Sequence, residues 1–150
     1  MAQIAVIGSS AESVPAAEEV GRLLAGRGCV VVCGGLGEVM EAAARGAKEA
    51  GGTTVGILPG ESVDAANEWI DYAVATGTGH ARNLAVVASC EAAIAVGGRW
   101  GTLAEIAYAR LLGRPVVVLE GGPEVDDESV ERADSPAAAV DAALRAAGAG

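Results

Sequence analysis

A chain of 150 residues, 51% of them hydrophobic, has the length of one domain and can bury a core without metal or disulfide staples. Ten basic against twenty acidic residues leave a net charge of −10, which argues against an extended nucleic-acid surface, because phosphate backbones are held by basic stripes. No apolar run approaches the ~18 residues of a membrane span, and Met1-Ala2-Gln3-Ile4 lacks the basic segment of a secretory leader, so a cytoplasmic protein with no membrane partner is expected.

Short β-branched runs alternate with helical stretches along the chain. Residues 3–7 read as a first strand. Residues 13–27 read as a helix that Ser13 caps, Pro15 enters and Gly28 stops. A strand over 29–32 is followed by a helix over 37–50, closed by Gly51-Gly52. Residues 53–58 form a third strand, stopped by Pro59-Gly60, and the alternation over 70–75 a fourth. A helix over 78–90, a strand over 92–96, a helix over 101–112 and a strand over 115–119 follow. The acidic stretch 124–134 leaves room for a short edge strand, and Ser135 is placed to cap a last helix over 136–147, beyond which the Ala/Gly tail is expected to fray.

Strands such as 29–32, 92–96 and 116–119 are apolar at every position, as in parallel sheets covered on both faces. The expectation is one doubly wound α/β domain, an open parallel sheet of six to seven strands with helices on both faces. Cys29, Cys33 and Cys90 are an odd number, and His80 is the single histidine. A disulfide framework and a metal site are therefore not expected, and the thiols read as small buried hydrophobes.

Ligands of such sheets sit in the crevice at the carboxyl ends of the strands. Three glycine-rich turns fall there: Gly8-Ser9-Ser10; Gly34-Gly35-Leu36-Gly37; and Gly97-Gly98-Arg99-Trp100-Gly101-Thr102. Each opens a helix whose free N–H groups and positive dipole end attract phosphate. The second and third turns echo each other, with Glu41 and Glu105 each four residues after the last glycine. None matches the dinucleotide or P-loop fingerprint, so an ordinary NAD dehydrogenase or P-loop ATPase is disfavoured.

Arg82 sits in the first turn of a helix, where a cation opposes the dipole at a cost of about 0.3–1 kcal/mol. A bound phosphate reverses that cost and accepts a bidentate contact. Glu105 has two readings: it closes a capping box with Thr102, or it is a carboxylate in the crevice that acts as acid, base or oxocarbenium stabiliser. Trp100 either stacks on a planar ring or covers a core or subunit contact, and His80 either donates to phosphate or is a solvated helix-start residue. The helices over 78–90 and 101–112 are apolar nearly all round, which predicts a homodimer or higher homo-oligomer.

The run Val96-Gly97-Gly98-Arg99-Trp100-Gly101-Thr102-Leu103-Ala104-Glu105 resembles the P-G-G-x-G-T-x-x-E signature of the LONELY GUY (LOG) proteins. Arg82 matches the arginine those proteins carry on the preceding helix, and residues 34–40 resemble their Gly-Gly-x-Gly-x-Met turn. The resemblance implies a Rossmann-like dimer that cleaves the N-glycosidic bond of nucleoside 5′-monophosphates, releasing base and ribose 5-phosphate. It implies a catalytic pair in Arg82 and Glu105 and phosphate held by the glycine loop, with no cofactor required. Val96 in place of the motif proline, the extra Trp100 and the Arg82-Asn83 pair look more like the related molybdenum-cofactor carrier branch. That branch binds a phosphorylated pterin as cargo without turnover. Relatives labelled lysine decarboxylases are a poor guide, since Lys48 is the sole lysine and sits mid-helix.

Overall fold

The computed structural model describes residues 1–148; the end of the Ala/Gly tail lies outside the described residues. Seven parallel strands form one sheet: β1 (Gln3–Ile7), β2 (Val30–Cys33), β3 (Thr53–Leu58), β4 (Tyr72–Ala75), β5 (Ala92–Ala95), β6 (Val116–Leu119) and β7 (Val130–Ala133). Their order is β4-β3-β2-β1-β5-β6-β7. The order reverses between β1 and β5, where Ile4 pairs Ala92 and Ile7 pairs Ala95. The crossovers therefore change face at this point, and the connections after β1 and β5 diverge to leave a crevice between them.

Alternate residues of the buried strands feed two cores. Ile4, Val6, Val31, Ile94 and Val117 pack under α1 (Val14–Gly26), α2 (Val39–Glu49) and α5 (Pro136–Ala146). Ala5, Ile7, Val32, Ala95 and Val118 pack under α3 (Arg82–Ala88) and α4 (Trp100–Leu111). Three helices cover the first face and two the second, so Tyr72 and Val74 on edge strand β4 stay exposed. Among the described residues, no helix is long and apolar enough to cross a membrane.

The helices on both faces and the parallel sheet match the sequence expectation, and the element ends move for local reasons. The Cys29 amide bonds to Leu24 O and closes the end of α1, so β2 starts at Val30 and runs on to Cys33. A 3-10 turn over Ala11–Ser13 precedes α1, and the Ser13 side chain makes no cap bond. Glu38 has φ 55° and delays α2 to Val39. Gly79 has φ 62°, so the third helical stretch opens as a 3-10 turn and α3 has only seven residues. The cap at Ser135 is present, its hydroxyl accepting from the Ala138 amide at 3.1 Å. All three cysteines are buried and free, and burial pushes the Cys33 thiol up to about 11 and the Cys90 thiol to about 12. Lys48 donates to Gly52 O at 2.8 Å and Asp71 Oδ2 at 2.9 Å, and so braces β3 against the turn before β4.

Candidate functional site

The three glycine turns leave β2, β1 and β5, which are neighbours in the sheet, so the topology collects all three at one edge. Gly97 and Gly98 have φ 65° and 112°, a left-handed pair that turns β5 sharply into α4. A side chain at Gly97 would meet Ser9 O and Ser13 Oγ, and one at Gly98 would meet the Thr102 hydroxyl, so the loop closes only with glycine at both places. At the β2 turn, a side chain at Gly34 would run into the Arg82 guanidinium and the Met40 sulfur. The missing Cβ is what lets Arg82 lie down across the end of β2.

Between these turns is a cavity of about 170 Å³. Gly8, Ser9, Gly34, Arg82, Asn83, Arg99, Gly101, Thr102 and Glu105 line it, together with Met40 and His80. Ser10, Gly35, Gly37, Gly97, Gly98 and Trp100 lie outside its wall. Gly97 and Gly98 shape the loop from behind, while Trp100 opens α4 with 84% of its surface exposed. Trp100 therefore covers no core within the chain, and Glu41 likewise stays out of the cavity.

Of the two readings of Glu105, the capping box falls. Helix α4 begins at Trp100 with Arg99 as its cap residue, one turn before Thr102 could serve. Thr102 instead turns its hydroxyl against Gly98. Glu105 is left inside the helix, only 9% exposed, and lines the cavity. Burial raises it to about 7, against the pull of the Arg82 charge. Arg82 is lowered by burial and held up by Glu105 in turn. The two make no ion pair among the described residues, so their mutual field crosses the cavity.

This arrangement sets two guanidinium groups and a carboxyl that titrates near neutral pH around a small space in a chain of net charge −10. An anion is favoured there by Arg82, by Arg99 and by the amides at the start of α4. The protonated carboxyl donates a hydrogen bond, and the ionised form accepts one or stabilises a developing cation.

Asn67 is a participant that sequence reasoning did not single out. Its side-chain amide donates to Leu36 O at 2.8 Å and Gly35 O at 3.3 Å, and its oxygen accepts from the Trp69 amide. It clamps the β2 turn from the β3–β4 connection. No local pattern signals this, because the partners are about thirty residues apart. Met40 enters the sequence reading only through the Gly-Gly-x-Gly-x-Met resemblance, and its place in the wall follows from α2 starting at Val39.

Fold and crevice together define a Rossmann-like protein of the LOG-like kind. More particularly, the chain belongs to the SLOG cluster4 family, whose profile matches residues 1–147. An uncharacterized protein of Archaeoglobus fulgidus is 47% identical over 128 residues, covering 79% of this chain and 84% of that one. The molybdenum cofactor binding protein of the phototrophic bacterium Rippkaea orientalis superposes with a TM-score of 0.88 at 33% identity, over 94% of each chain. The molybdenum cofactor carrier protein of Chlamydomonas reinhardtii gives 0.87 at 33% identity, over 97% of each chain.

Proposed function

We propose that this protein binds a phosphorylated pterin, the molybdenum cofactor or a close relative of it, as cargo in the crevice of β2, β1 and β5. The observation that carries this reading is the cavity itself: Arg82, Arg99 and the Thr102 turn face one small space in an otherwise acidic chain. Likeness along nearly the whole chain to a molybdenum cofactor binding protein and a carrier protein supports the choice of ligand. In this reading Arg82 and the amides of Arg99, Gly101 and Thr102 take the phosphate, Ser9 and Asn83 flank it, and the carboxyl of Glu105 hydrogen-bonds the remainder of the ligand. No cofactor is required for binding, and the setting is cytoplasmic.

Hydrolysis of nucleoside 5′-monophosphates is the second reading, favoured by Glu105 beside Arg82. There Arg82 holds the phosphate and Glu105 stabilises the ribosyl cation or activates water. Purification from cells that make the cofactor, followed by native mass spectrometry, separates the two. The carrier reading expects a bound pterin mass that Arg82→Ala loses, and no adenine from AMP above a Glu105→Ala control. Adenine release dependent on Glu105 overturns it in favour of the hydrolase. Protein free of pterin and without affinity for it removes the carrier reading altogether.

We also propose a homodimer through the second face of the sheet. Leu84 on α3 and Trp100 and Leu111 on α4 are exposed apolar groups on that side, and the latter two are 84% and 81% exposed. Clustered exposed apolar groups of this kind mark association surfaces.

A further inference from the structure

Among the described residues, Ser10 and Glu38 are the non-glycine positions with positive φ, 108° and 55°. They are joined to each other: the Ser10 amide donates to Glu38 Oε2 at 2.7 Å. Ser10 stands in the turn after β1 and Glu38 in the turn after β2, so one bond stitches two neighbouring strand ends together. A side chain at φ 55°, ψ −121° is sterically costly and persists where its surroundings hold it. This bond holds the Glu38 carboxylate, while its carbonyl accepts from the Ala42 amide at 2.9 Å. No cation pairs with its carboxylate among the described residues.

Ser10 directly follows Ser9, and Glu38 stands in the turn between Gly34 and Met40; those three neighbours line the cavity, while Ser10 and Glu38 stand outside its wall. The space of about 170 Å³ is well below the roughly 300–1,000 Å³ of ordinary small-molecule sites. It suits a phosphate group, and a ligand that also carries a sugar or ring has to extend past the rim.

We infer that the bond between Glu38 and the Ser10 amide is a latch on the β1–β2 side of the crevice, and that Glu38 thereby selects ligands by size. A free phosphate binds with the latch shut, and a nucleotide-sized phosphate ester binds by opening it. Opening breaks one charge-assisted hydrogen bond and removes one of the contacts that hold two strained residues, which offsets part of its cost, so the latch yields to a ligand of moderate affinity. The inference rests on the phosphate-ligand reading above.

Calorimetric titration of the full chain with inorganic phosphate and with AMP tests it. The proteins compared are wild type, Glu38→Gln, Glu38→Gly and Arg82→Ala. Glu38→Gln keeps the backbone strain and weakens the bond, whereas Glu38→Gly removes both. Each is expected to bind AMP about tenfold more tightly than wild type, the scale of one hydrogen bond to a charged group, and to bind phosphate within about twofold of it. AMP affinity unchanged or weakened in both variants overturns the latch, as does equal tightening toward phosphate. A Glu38→Gly protein that binds phosphate and gains nothing toward AMP overturns it too. If wild type binds phosphate and Arg82→Ala does not, that failure belongs to the latch alone. If no protein binds either probe, the phosphate reading fails and takes the latch with it.

Discussion

Replacing Glu105 by glutamine tests the electrostatics of the crevice without any ligand. Burial raises the Glu105 carboxyl from its ordinary 4.5 to about 7, with the Arg82 charge opposing part of the effect. The folded chain therefore holds this proton more tightly than the unfolded chain does. Stability from this group is complete below about pH 4.5, is lost as pH rises to about 7, and then levels off. The distance from 4.5 to about 7 corresponds to about 3 kcal/mol between the two limits. Glutamine has nearly the same shape and no proton to lose, so Glu105→Gln escapes this penalty. Its stability relative to wild type is expected to be greater at about pH 8 than at about pH 5, by about 2–3 kcal/mol. At about 2–4 °C per kcal/mol for a domain of this size, the melting temperatures should diverge by roughly 4–12 °C. Thermal and urea unfolding of both proteins at the two pH values measures this, and contributions from the other carboxylates cancel in the comparison. An equal difference at both pH values would refute the reasoning, because it would mean that Glu105 is not a desolvated charge at neutral pH.

Three more substitutions probe separate layers of the structure. Gly34→Ala pushes against the flexible ends of Arg82 and Met40, not against backbone, so stability should fall by no more than about 1 kcal/mol while phosphate affinity measured by calorimetry drops at least about tenfold. Gly97→Ala meets Ser9 O at φ 65°, and chemical denaturation should show a loss of about 2 kcal/mol or more. Leu111→Glu places a charge on the exposed apolar side of α4, and light scattering should report a monomer where wild type is a dimer; a monomeric wild type would remove that face as a contact.

Much of the fold was legible because the chain is locally consistent. Continuous apolar runs at 29–32, 92–96 and 116–119 read as strands covered on both faces, and the structure buries every one of those residues. Caps and glycine stops located the helices to within a few residues. Errors gathered where backbone geometry is set by contact instead of by residue type. The helix start near Thr102 is an example. Local pattern leaves a capping box from Thr102 open as one of two readings, but two left-handed glycines and the packing of Thr102 on Gly98 start α4 at Trp100.

By itself the sequence determined the parallel α/β class, the three glycine turns at strand ends and the identity of Arg82 and Glu105 as groups worth following. These depend on periodicity, on φ preferences and on the helix dipole, all of which act within a few residues. Only the tertiary structure decided that the turns of β2, β1 and β5 are neighbours, that Arg82 lies across Gly34, and that Glu105 is buried against the cavity. It alone revealed the Asn67 clamp and the bond from Ser10 to Glu38. Strand order and burial are collective outcomes of packing the whole chain, and a carboxyl held near pH 7 exists only once water has been excluded from around it.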